Sequence, residues 1–239
     1  MRNFGLLVDQ VIDKSNIVLE ILDARFIEET RNKSIEQKVK HKNKILVHVI
    51  NKCDFVDKNY LDNVKRGLEN CVFVSAKNHL GTTLLKQKIK MLTKRIKYPV
   101  VGVVGYPNVG KSSVINALKG RNSAKVSPEP GFTKAKQCLN IDNDFYIIDT
   151  PGVIPKDNKE ELVLIGAQNY STIKDPDLAV MNLMAAHPGL IEKRYGIKPN
   201  QDKESAIEEI ALKLKMKKKG NLPDVERTSR KILREWIES

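Results

Sequence analysis

At residues 105–112 the chain reads Gly-Tyr-Pro-Asn-Val-Gly-Lys-Ser, which is the strongest indication of its fold. It matches the phosphate-binding loop pattern G-x-x-x-x-G-K-[ST] in full. The β-branched run at 100–104 predicts a buried parallel strand before it, and apolar residues at helical spacing in 113–118 predict a helix after it. A strand, a glycine loop and a helix in this order bind phosphates with backbone amides at a helix N-terminus.

The residue types in this loop suit a nucleotide phosphate chain and a magnesium ion. Gly105 permits a tight turn, the Lys111 ammonium would reach the β- and γ-phosphates, and the Ser112 hydroxyl would ligate Mg²⁺. A glycine turn beside a solvated lysine is the alternative, and the motifs described below argue against it. The predicted phosphate-binding residues are Asn108, Val109, Gly110, Lys111, Ser112 and Ser113.

Another apolar run, at 145–148, predicts a strand that ends in the sequence Asp-Thr-Pro-Gly. Its aspartate, Asp149, would lie at the rim where α/β sheets bind ligands and hold Mg²⁺ through water. The Gly152 amide would face the γ-phosphate. In the polar segment 121–134, which is long enough to be functional, Thr133 is the candidate for a second hydroxyl on Mg²⁺.

Upstream of the phosphate loop, the sequence Asn-Lys-Cys-Asp follows an apolar run at 45–50 that predicts a buried strand. The Asp54 carboxylate can accept hydrogen bonds from N1–H and the exocyclic amine of guanine, a pair that adenine does not offer. The stem of Lys52 can cover one face of the base. Asn51 can brace either the loop or the edge of the base.

A further predicted strand, at 71–74, leads to the sequence Ser-Ala-Lys, where the Ala76 amide could donate to guanine O6. Each of these motifs is short. Both follow strands, however, and both share the chain with a phosphate loop, so the sequence predicts a guanine rather than an adenine nucleotide. The predicted base-binding residues are Asn51, Lys52, Asp54, Ser75, Ala76 and Lys77.

The order of the motifs resembles that of the circularly permuted GTPases, especially those associated with ribosome assembly. The base motif and Ser-Ala-Lys come first, and the phosphate loop, the switch threonine and Asp-x-x-Gly follow, over about residues 1–160. The sequence Asp-Ala-Arg at 23–25, at the end of a predicted strand over residues 17–22, also resembles a motif of that family. From the residues alone, Asp23 and Arg25 could equally form a surface ion pair.

This resemblance implies an α/β fold of the P-loop NTPase type, with three layers and circularly permuted order. It also implies binding of GTP or GDP with Mg²⁺, and a role in maturing a ribosomal subunit, with the large subunit favoured.

The predicted catalytic residues are Lys111, Thr133, Gly152 and Asn108. Ras-like enzymes orient the attacking water with a glutamine just after Asp-x-x-Gly, and here that position is Val153, which cannot hold water. We therefore expect slow intrinsic hydrolysis until another group or a partner assists. Asn108 resembles the asparagine of GTPases that recruit K⁺, and a turn-stabilising side chain is the equal alternative.

The composition suits a globular protein of one or two domains, with 239 residues and 41% hydrophobic side chains. The three cysteines show no pairing pattern, which favours a reducing compartment, and the four scattered histidines give no sign of a metal cluster. We find no apolar run of membrane-spanning length and no signal-peptide pattern. We therefore expect a cytoplasmic monomer with no membrane partner.

The net charge of +13 is concentrated in three segments, at 31–44, 82–98 and 213–234. Clustered positive charge favours polyanions through counterion release, although lysine-rich faces also serve solubility. We predict ribosomal RNA or a ribosomal subunit precursor as the partner. The segment 82–98 predicts a helix with one cationic and one core face, because apolar residues recur at Leu85, Ile89, Leu92 and Ile96.

Beyond Gly152 the sequence predicts helices rather than a return to the sheet. We therefore predict a GTP-binding domain at 1–160 and a small, basic α-helical domain at 161–239 that contacts RNA or the ribosome. Its predicted helices lie at 162–165, 178–185, 205–216 and 225–237. In the last of them Trp236 is predicted to anchor the core, and the opposite side carries Arg227, Arg230, Lys231 and Arg234.

Three classes of function are compatible with these features. A GTP-hydrolysing switch that acts on a ribosomal precursor fits best, and loss of the γ-phosphate would release its loops and change the pose of residues 161–239. A nucleotide-gated RNA-binding scaffold with little hydrolysis is the alternative, and Val153 supports it. A metabolic kinase is disfavoured by the guanine motif.

Overall fold

The computed structural model describes residues 4–119, 138–149 and 173–238. The chain divides into two compact units, with the boundary between Pro155 and Lys156. The predicted division at residue 160 stays a prediction, because the residues around it lie outside the described ranges.

A parallel β-sheet forms the centre of the first unit. Its strands are β1 (Ile17–Asp23), β2 (Ile45–Asn51), β3 (Cys71–Phe73), β4 (Val100–Val104), β5 (Cys138–Ile141) and β6 (Phe145–Asp149). Within the described residues the sheet has six strands, in the order β3-β2-β1-β4-β6-β5. All neighbours are parallel except β5 and β6. The five predicted strands are therefore confirmed, and β5 is a strand that the sequence analysis missed.

Helices cover both faces of this sheet: α1 (Phe4–Lys14), α2 (Ile27–Thr30), α3 (Lys33–His41), α4 (Lys58–Gly67), α5 (Thr82–Leu92) and α6 (Lys111–Lys119). Successive residues of β1 point to opposite faces. Leu19 belongs to a core cluster with Leu85 of α5 and Val114 of α6. Val18 packs instead with Val39 of α3. This arrangement confirms the predicted three-layer α/β fold.

The helix predicted over residues 82–98 is shorter than expected, because α5 ends at Leu92. The backbone leaves helical geometry at Thr93, whose hydroxyl donates a 2.8 Å hydrogen bond back to the Ile89 carbonyl. Leu85 and Ile89 are fully buried as predicted, but Ile96 is 38% exposed. The prediction that Ile96 extends the core face is therefore wrong.

The second unit contains the helices α7 (Pro176–Ala186), α8 (Leu190–Tyr195), α9 (Lys203–Lys213) and α10 (Val225–Glu238). Three of them match predicted helices, and α8 was not predicted. The helix predicted at 162–165 lies outside the described residues. Trp236 is 3% exposed and lies 5.9 Å from the His187 ring, which confirms it as a core anchor. No helix in the described ranges is both long and apolar enough to cross a membrane.

Candidate nucleotide-binding site

Four parallel strands bring the predicted motifs to one edge of the sheet. The carboxyl ends of β2, β3, β4 and β6 lead respectively into the base motif, the Ser-Ala-Lys segment, the phosphate loop and Asp149. The cross-strand pairs Asp23–Asn51 and Val103–Asp149 show that these ends are level with one another. Ligands bind at this edge in open α/β sheets.

The phosphate loop between β4 and α6 is held close to neighbouring backbone. At Gly105 the φ angle is 145°, and a Cβ atom would lie 2.6 Å from the Ile21 carbonyl oxygen. At Gly110 the φ angle is 93°, and a Cβ atom would overlap the Asn51 side-chain amide. Both positions therefore require glycine, because any side chain would displace the loop from β1 or from the base motif.

Asn51 joins the three nucleotide motifs into one unit. Its Nδ2 donates to the Val109 carbonyl oxygen at 2.9 Å, and its Oδ1 accepts from the Ala76 N–H at 3.1 Å. The residue is only 3% exposed, so these bonds are shielded from water. Asn51 thus braces the loop, which is one of its two predicted roles. The Ala76 amide, predicted to donate to guanine O6, donates to Asn51 in this structure.

Lys52 is held by a buried ion network. Its ammonium lies 3.2 Å from Asp23 Oδ2, and Arg25 Nη2 donates to the same oxygen at 2.7 Å. The side chains of Asp23, Arg25 and Lys52 are 1%, 2% and 8% exposed. Asp23 and Arg25 therefore do form an ion pair, but its expected position at the surface is wrong, because the pair is buried. Sequence reasoning did not find the partnership of Asp23 with Lys52, which depends on the register of β1 against β2.

Burial shifts the pKa values of Asp23 and Lys52 in opposite directions. Burial alone would raise the pKa of Asp23, but the hydrogen bonds and charge of Arg25, with the charge of Lys52, hold that pKa below its usual value. Burial lowers the pKa of Lys52 to about 8, although the Asp23 carboxylate opposes the shift. The Asp23 carboxylate thus favours the protonated, charged form of Lys52.

Asp54, the predicted guanine reader, is exposed at the rim of the site. Its Oδ2 accepts a 3.1 Å hydrogen bond from Asn78 Nδ2, so Asn78 orients the carboxylate. Lys77 is also exposed, whereas Ser75 is buried and exchanges two backbone hydrogen bonds with Leu80. This closed turn fixes the segment that carries Ala76. Asn78 is a residue of the site that sequence reasoning missed.

Lys111 begins α6 and is 8% exposed. Its ammonium donates to the Tyr106 carbonyl oxygen of the phosphate loop at 2.5 Å. Burial lowers the pKa of Lys111 to about 8, and the Asp149 carboxylate acts in the opposite direction. Ser112 and Ser113 are exposed on the first turn of α6. The loop therefore presents a cation and two hydroxyls at a helix N-terminus, as a phosphate site requires.

We expect GDP binding to take up a proton above pH 8. The phosphates would raise the pKa of Lys111 from about 8, so the lysine would be charged in the complex and neutral in the free protein. The affinity should fall by up to about tenfold per pH unit above pH 8. Calorimetry at pH 7 and pH 9, in buffers of different ionisation enthalpy, counts the protons.

Guanosine is the control for this experiment, because it lacks phosphates and reports titration of the base alone. Equal proton uptake by GDP and guanosine at pH 9 would contradict the assignment to Lys111.

The predicted catalytic residues are only partly described. Asn108 is exposed, with a φ angle of 61°, a backbone conformation that asparagine tolerates in turns. This supports its turn role, while its K⁺ role stays a prediction. Thr133, Gly152 and Val153 lie outside the described residues.

A phosphate loop and a guanine motif at one edge of a parallel sheet define a P-loop GTPase, here with the base motif first. Residues 100–224 match the model of a family described as 50S ribosome-binding GTPase, and residues 7–157 match that of the RsgA GTPase family. The chain belongs to these families and is a circularly permuted GTPase of the ribosome-biogenesis type.

Curated relatives extend beyond the region that this chain covers. An uncharacterized GTP-binding protein from Methanocaldococcus jannaschii is 36% identical over 237 residues, covering 96% of this chain and 64% of that protein. Nucleolar GTP-binding protein 2 of Neurospora crassa is 34% identical, covering 95% of this chain and 39% of that protein. Nucleolar GTP-binding protein 2 of Saccharomyces cerevisiae is 32% identical, covering 95% of this chain and 50% of that protein. The chain therefore spans less than two thirds of the length of these relatives.

Two solved structures share the fold. GNP-bound YlqF from T. maritima has a TM-score of 0.68 at 24% identity, covering 98% of this chain and 93% of that one. A GDP-bound structure of the same protein has a TM-score of 0.70 at 23% identity, covering 97% and 94%. This similarity supports the predicted fold, a P-loop NTPase sheet in circularly permuted order with a helical C-terminal unit.

Proposed function

We propose that this protein binds GTP and GDP with Mg²⁺ and hydrolyses GTP as a switch in the assembly of a ribosomal subunit, the large subunit being favoured. The observation that carries this proposal is the bridge from Asn51 to Val109 and Ala76, which assembles the phosphate and base motifs into one site. Membership of a 50S ribosome-binding GTPase family and similarity to nucleolar GTP-binding proteins support the ribosomal part.

Magnesium would be held by Ser112, Asp149 and Thr133, the last of which lies outside the described residues. Hydroxyl and carboxylate oxygens are the protein ligands that Mg²⁺ prefers. Ser112 lies on the first turn of α6 after β4, and Asp149 ends the neighbouring strand β6, so the two belong to the same edge of the sheet. The ion would neutralise phosphate charge there.

Slow intrinsic hydrolysis is part of the proposal, because Val153 replaces the water-orienting glutamine. A nucleotide-gated RNA-binding scaffold with little hydrolysis remains the second candidate, and it rests on the same residue, Val153. GTP turnover with and without ribosomal particles separates the two, because only a switch enzyme is stimulated by its particle. A cytoplasmic location and a monomeric state also remain predictions.

We expect GTP turnover to be low in Na⁺ buffer and to rise severalfold in K⁺, with the rise lost in Asn108→Gly. Glycine keeps the positive φ angle of this position, so the variant removes the side chain without straining the turn. Steady-state phosphate release measures the effect, and GDP affinity is the control for an intact loop. Equal rates in the two salts would remove K⁺ from the proposal and leave GTP hydrolysis in place.

The proposed RNA contact lies on one side of α10 in the second unit. Arg227 and Arg234 are exposed, and Arg230 and Lys231 are partly buried. Arg230 pairs with Glu226 at 3.1 Å, and Lys231 pairs with Glu235 at 2.7 Å. An open cleft of about 490 Å³ is lined by Arg227, Arg230, Lys231, Arg234 and two apolar residues of the segment before α10, Leu214 and Met216. Four cations around one cleft suit the phosphates of RNA.

We expect the double variant Arg227→Glu, Arg234→Glu to lose cosedimentation with ribosomal particles while GDP affinity is unchanged. Both side chains are exposed, so the change acts on charge rather than on the core. Each phosphate contact releases counterions, so the logarithmic slope of affinity against salt should fall by about two. Cosedimentation at several salt concentrations, with GDP or a non-hydrolysable GTP analogue, measures both effects.

The matched control is Lys193→Glu, Lys198→Glu, which makes the same charge change at exposed positions outside α10 and its cleft. An equal loss of binding in this control would show that the effect depends only on net charge and not on the cleft beside α10. Particle binding that depends neither on the salt concentration nor on the bound nucleotide would contradict the switch.

A further inference from the structure

Three side chains that the nucleotide site does not use meet between the sheet and α3. Glu20 lies on β1, His48 is its cross-strand partner on β2, and Glu36 lies on the first turn of α3. One ligand atom from each residue lies within 4.8 Å of the others. No sequence motif indicates this cluster, because the three residues come from separate elements.

Two members of the cluster are buried and carry polar atoms that lack a hydrogen-bond partner. Glu20 is 0% exposed and His48 is 7% exposed. Among the described residues, neither ring nitrogen of His48 meets hydrogen-bond geometry with a partner, and the same holds for Glu20 Oε2. Buried polar groups normally have a partner, so these atoms point to a missing one.

The two distances from His48 to the carboxylates match those between ligands in a coordination shell. His48 Nε2 lies 3.3 Å from Glu20 Oε2 and 3.6 Å from Glu36 Oε1. Ligands at tetrahedral positions around zinc, with bonds of about 2.0–2.2 Å, are separated by about 3.3–3.6 Å.

Neighbouring donors hold both carboxylates in place. Glu20 Oε1 accepts from the Asn32 N–H at 2.8 Å, which leaves Oε2 for the cluster. Arg31 donates to both oxygens of Glu36, at 2.8 and 3.0 Å, and lowers the pKa of that carboxyl. Each oxygen has a second lone pair, so Glu36 Oε1 can bind a cation while it accepts from Arg31. Ligating carboxylates in metal sites have such outer partners.

We propose that Glu20, Glu36 and His48 bind one divalent transition-metal ion, best suited to Zn²⁺, with water as the fourth ligand. Imidazole nitrogen and carboxylate oxygen are both ligands that Zn²⁺ accepts, whereas Mg²⁺ prefers oxygen alone. The ion would connect β1, β2 and α3. This inference does not depend on the proposed function.

A proton competes with the metal for the same place. Burial would lower the pKa of His48, but the neighbouring carboxylates of Glu20 and Glu36 raise it overall. A protonated His48 between two carboxylates is therefore the state that zinc must displace. Zinc binding should release a proton and strengthen as the pH rises.

The test uses the whole chain, free of nucleotide and treated with a chelator, in equilibrium dialysis against Zn²⁺ at pH 7.5. We expect one zinc ion per chain. Glu36→Gln and His48→Gln should each weaken binding by more than about a hundredfold, since even outer partners of a metal contribute ten- to a hundredfold. The matched control is His41→Gln, His79→Gln, which removes two exposed histidines and should leave binding unchanged.

A second measurement covers the chance that His48→Gln does not fold. Co²⁺ in place of zinc should give the visible absorption of a tetrahedral site in the wild type, and Glu36→Gln should lose it. Glu36 is 17% exposed and Glu36→Gln should still bind GDP, which verifies its fold. No zinc on the wild type, or equal zinc on both variants, would overturn the proposal. Thiolate bands in the cobalt spectrum would place the metal on a cysteine and would also overturn it.

Discussion

Asp54→Asn is expected to weaken GDP binding by about 2 kcal/mol or more, roughly thirtyfold, because a charge-assisted paired contact to guanine is lost. The variant should gain relative affinity for xanthine nucleotides, whose extra carbonyl suits an amide donor. Asp54 is exposed and contacts Asn78, so the substitution leaves the core intact. Calorimetric titration with GDP, XDP and ADP measures the change in selectivity.

The matched control for this change is Asp57→Asn, an exposed aspartate that follows the base motif. Its affinities should equal those of the wild type. Wild-type binding of ATP as tight as that of GTP would refute the guanine assignment, and an unchanged GDP-to-XDP ratio in Asp54→Asn would remove Asp54 from it.

Asp23→Ala is expected to lower the free energy of unfolding of the first unit by about 3–5 kcal/mol, because two buried cations lose their counter-charge. Arg25 and Lys52 both contact this carboxylate, and their side chains are 2% and 8% exposed. Asp23→Asn should cost less, because its Oδ1 can still accept from the Arg25 N–H. Guanine nucleotide affinity should fall in both variants, since Lys52 loses its anchor.

Chemical denaturation followed by far-UV circular dichroism measures this loss. Tryptophan fluorescence is unsuitable, because the single tryptophan, Trp236, lies in the second unit. The control is Asp13→Ala, which breaks an exposed pair with Lys42 and should cost less than about 1 kcal/mol. A loss in Asp23→Ala no larger than in Asp13→Ala would show that the network does not stabilise the fold.

The pH dependence of this network follows from the Asp23 pKa. Burial would raise that pKa, but Arg25 and Lys52 hold it below the ordinary value of 3.8. The stabilisation is therefore fully present above about pH 4, and it is lost as the pH falls through the folded pKa. At the alkaline end, Lys52 loses its proton near pH 8 in the folded protein, which weakens its attraction to Asp23.

The sequence alone determined the fold class and the family of site. Short β-branched runs followed by glycine-rich or polar motifs predict buried parallel strands that end at a ligand edge. The five strands predicted in this way are present, and the motifs follow them in permuted order. These features are local, because a run of a few residues carries both the strand signal and the chemistry of the loop after it.

Local pattern failed where a single residue changed the backbone or where an element was short. The spacing of apolar residues predicted a helix that continues to Ile96, but the chain leaves helical geometry at Thr93. The six-residue helix α8 and the strand β5 gave no periodic signal long enough to detect.

Only the tertiary structure decided which side chains meet. Asn51 and Val109 are 58 positions apart and share a hydrogen bond, because β2 and the phosphate loop end at the same edge. Asp23 reaches Lys52 because the register of β1 and β2 places it opposite Asn51. The same register sets Glu20 beside His48. Strand order and register are properties of the packed sheet, and no spacing along one chain segment encodes them.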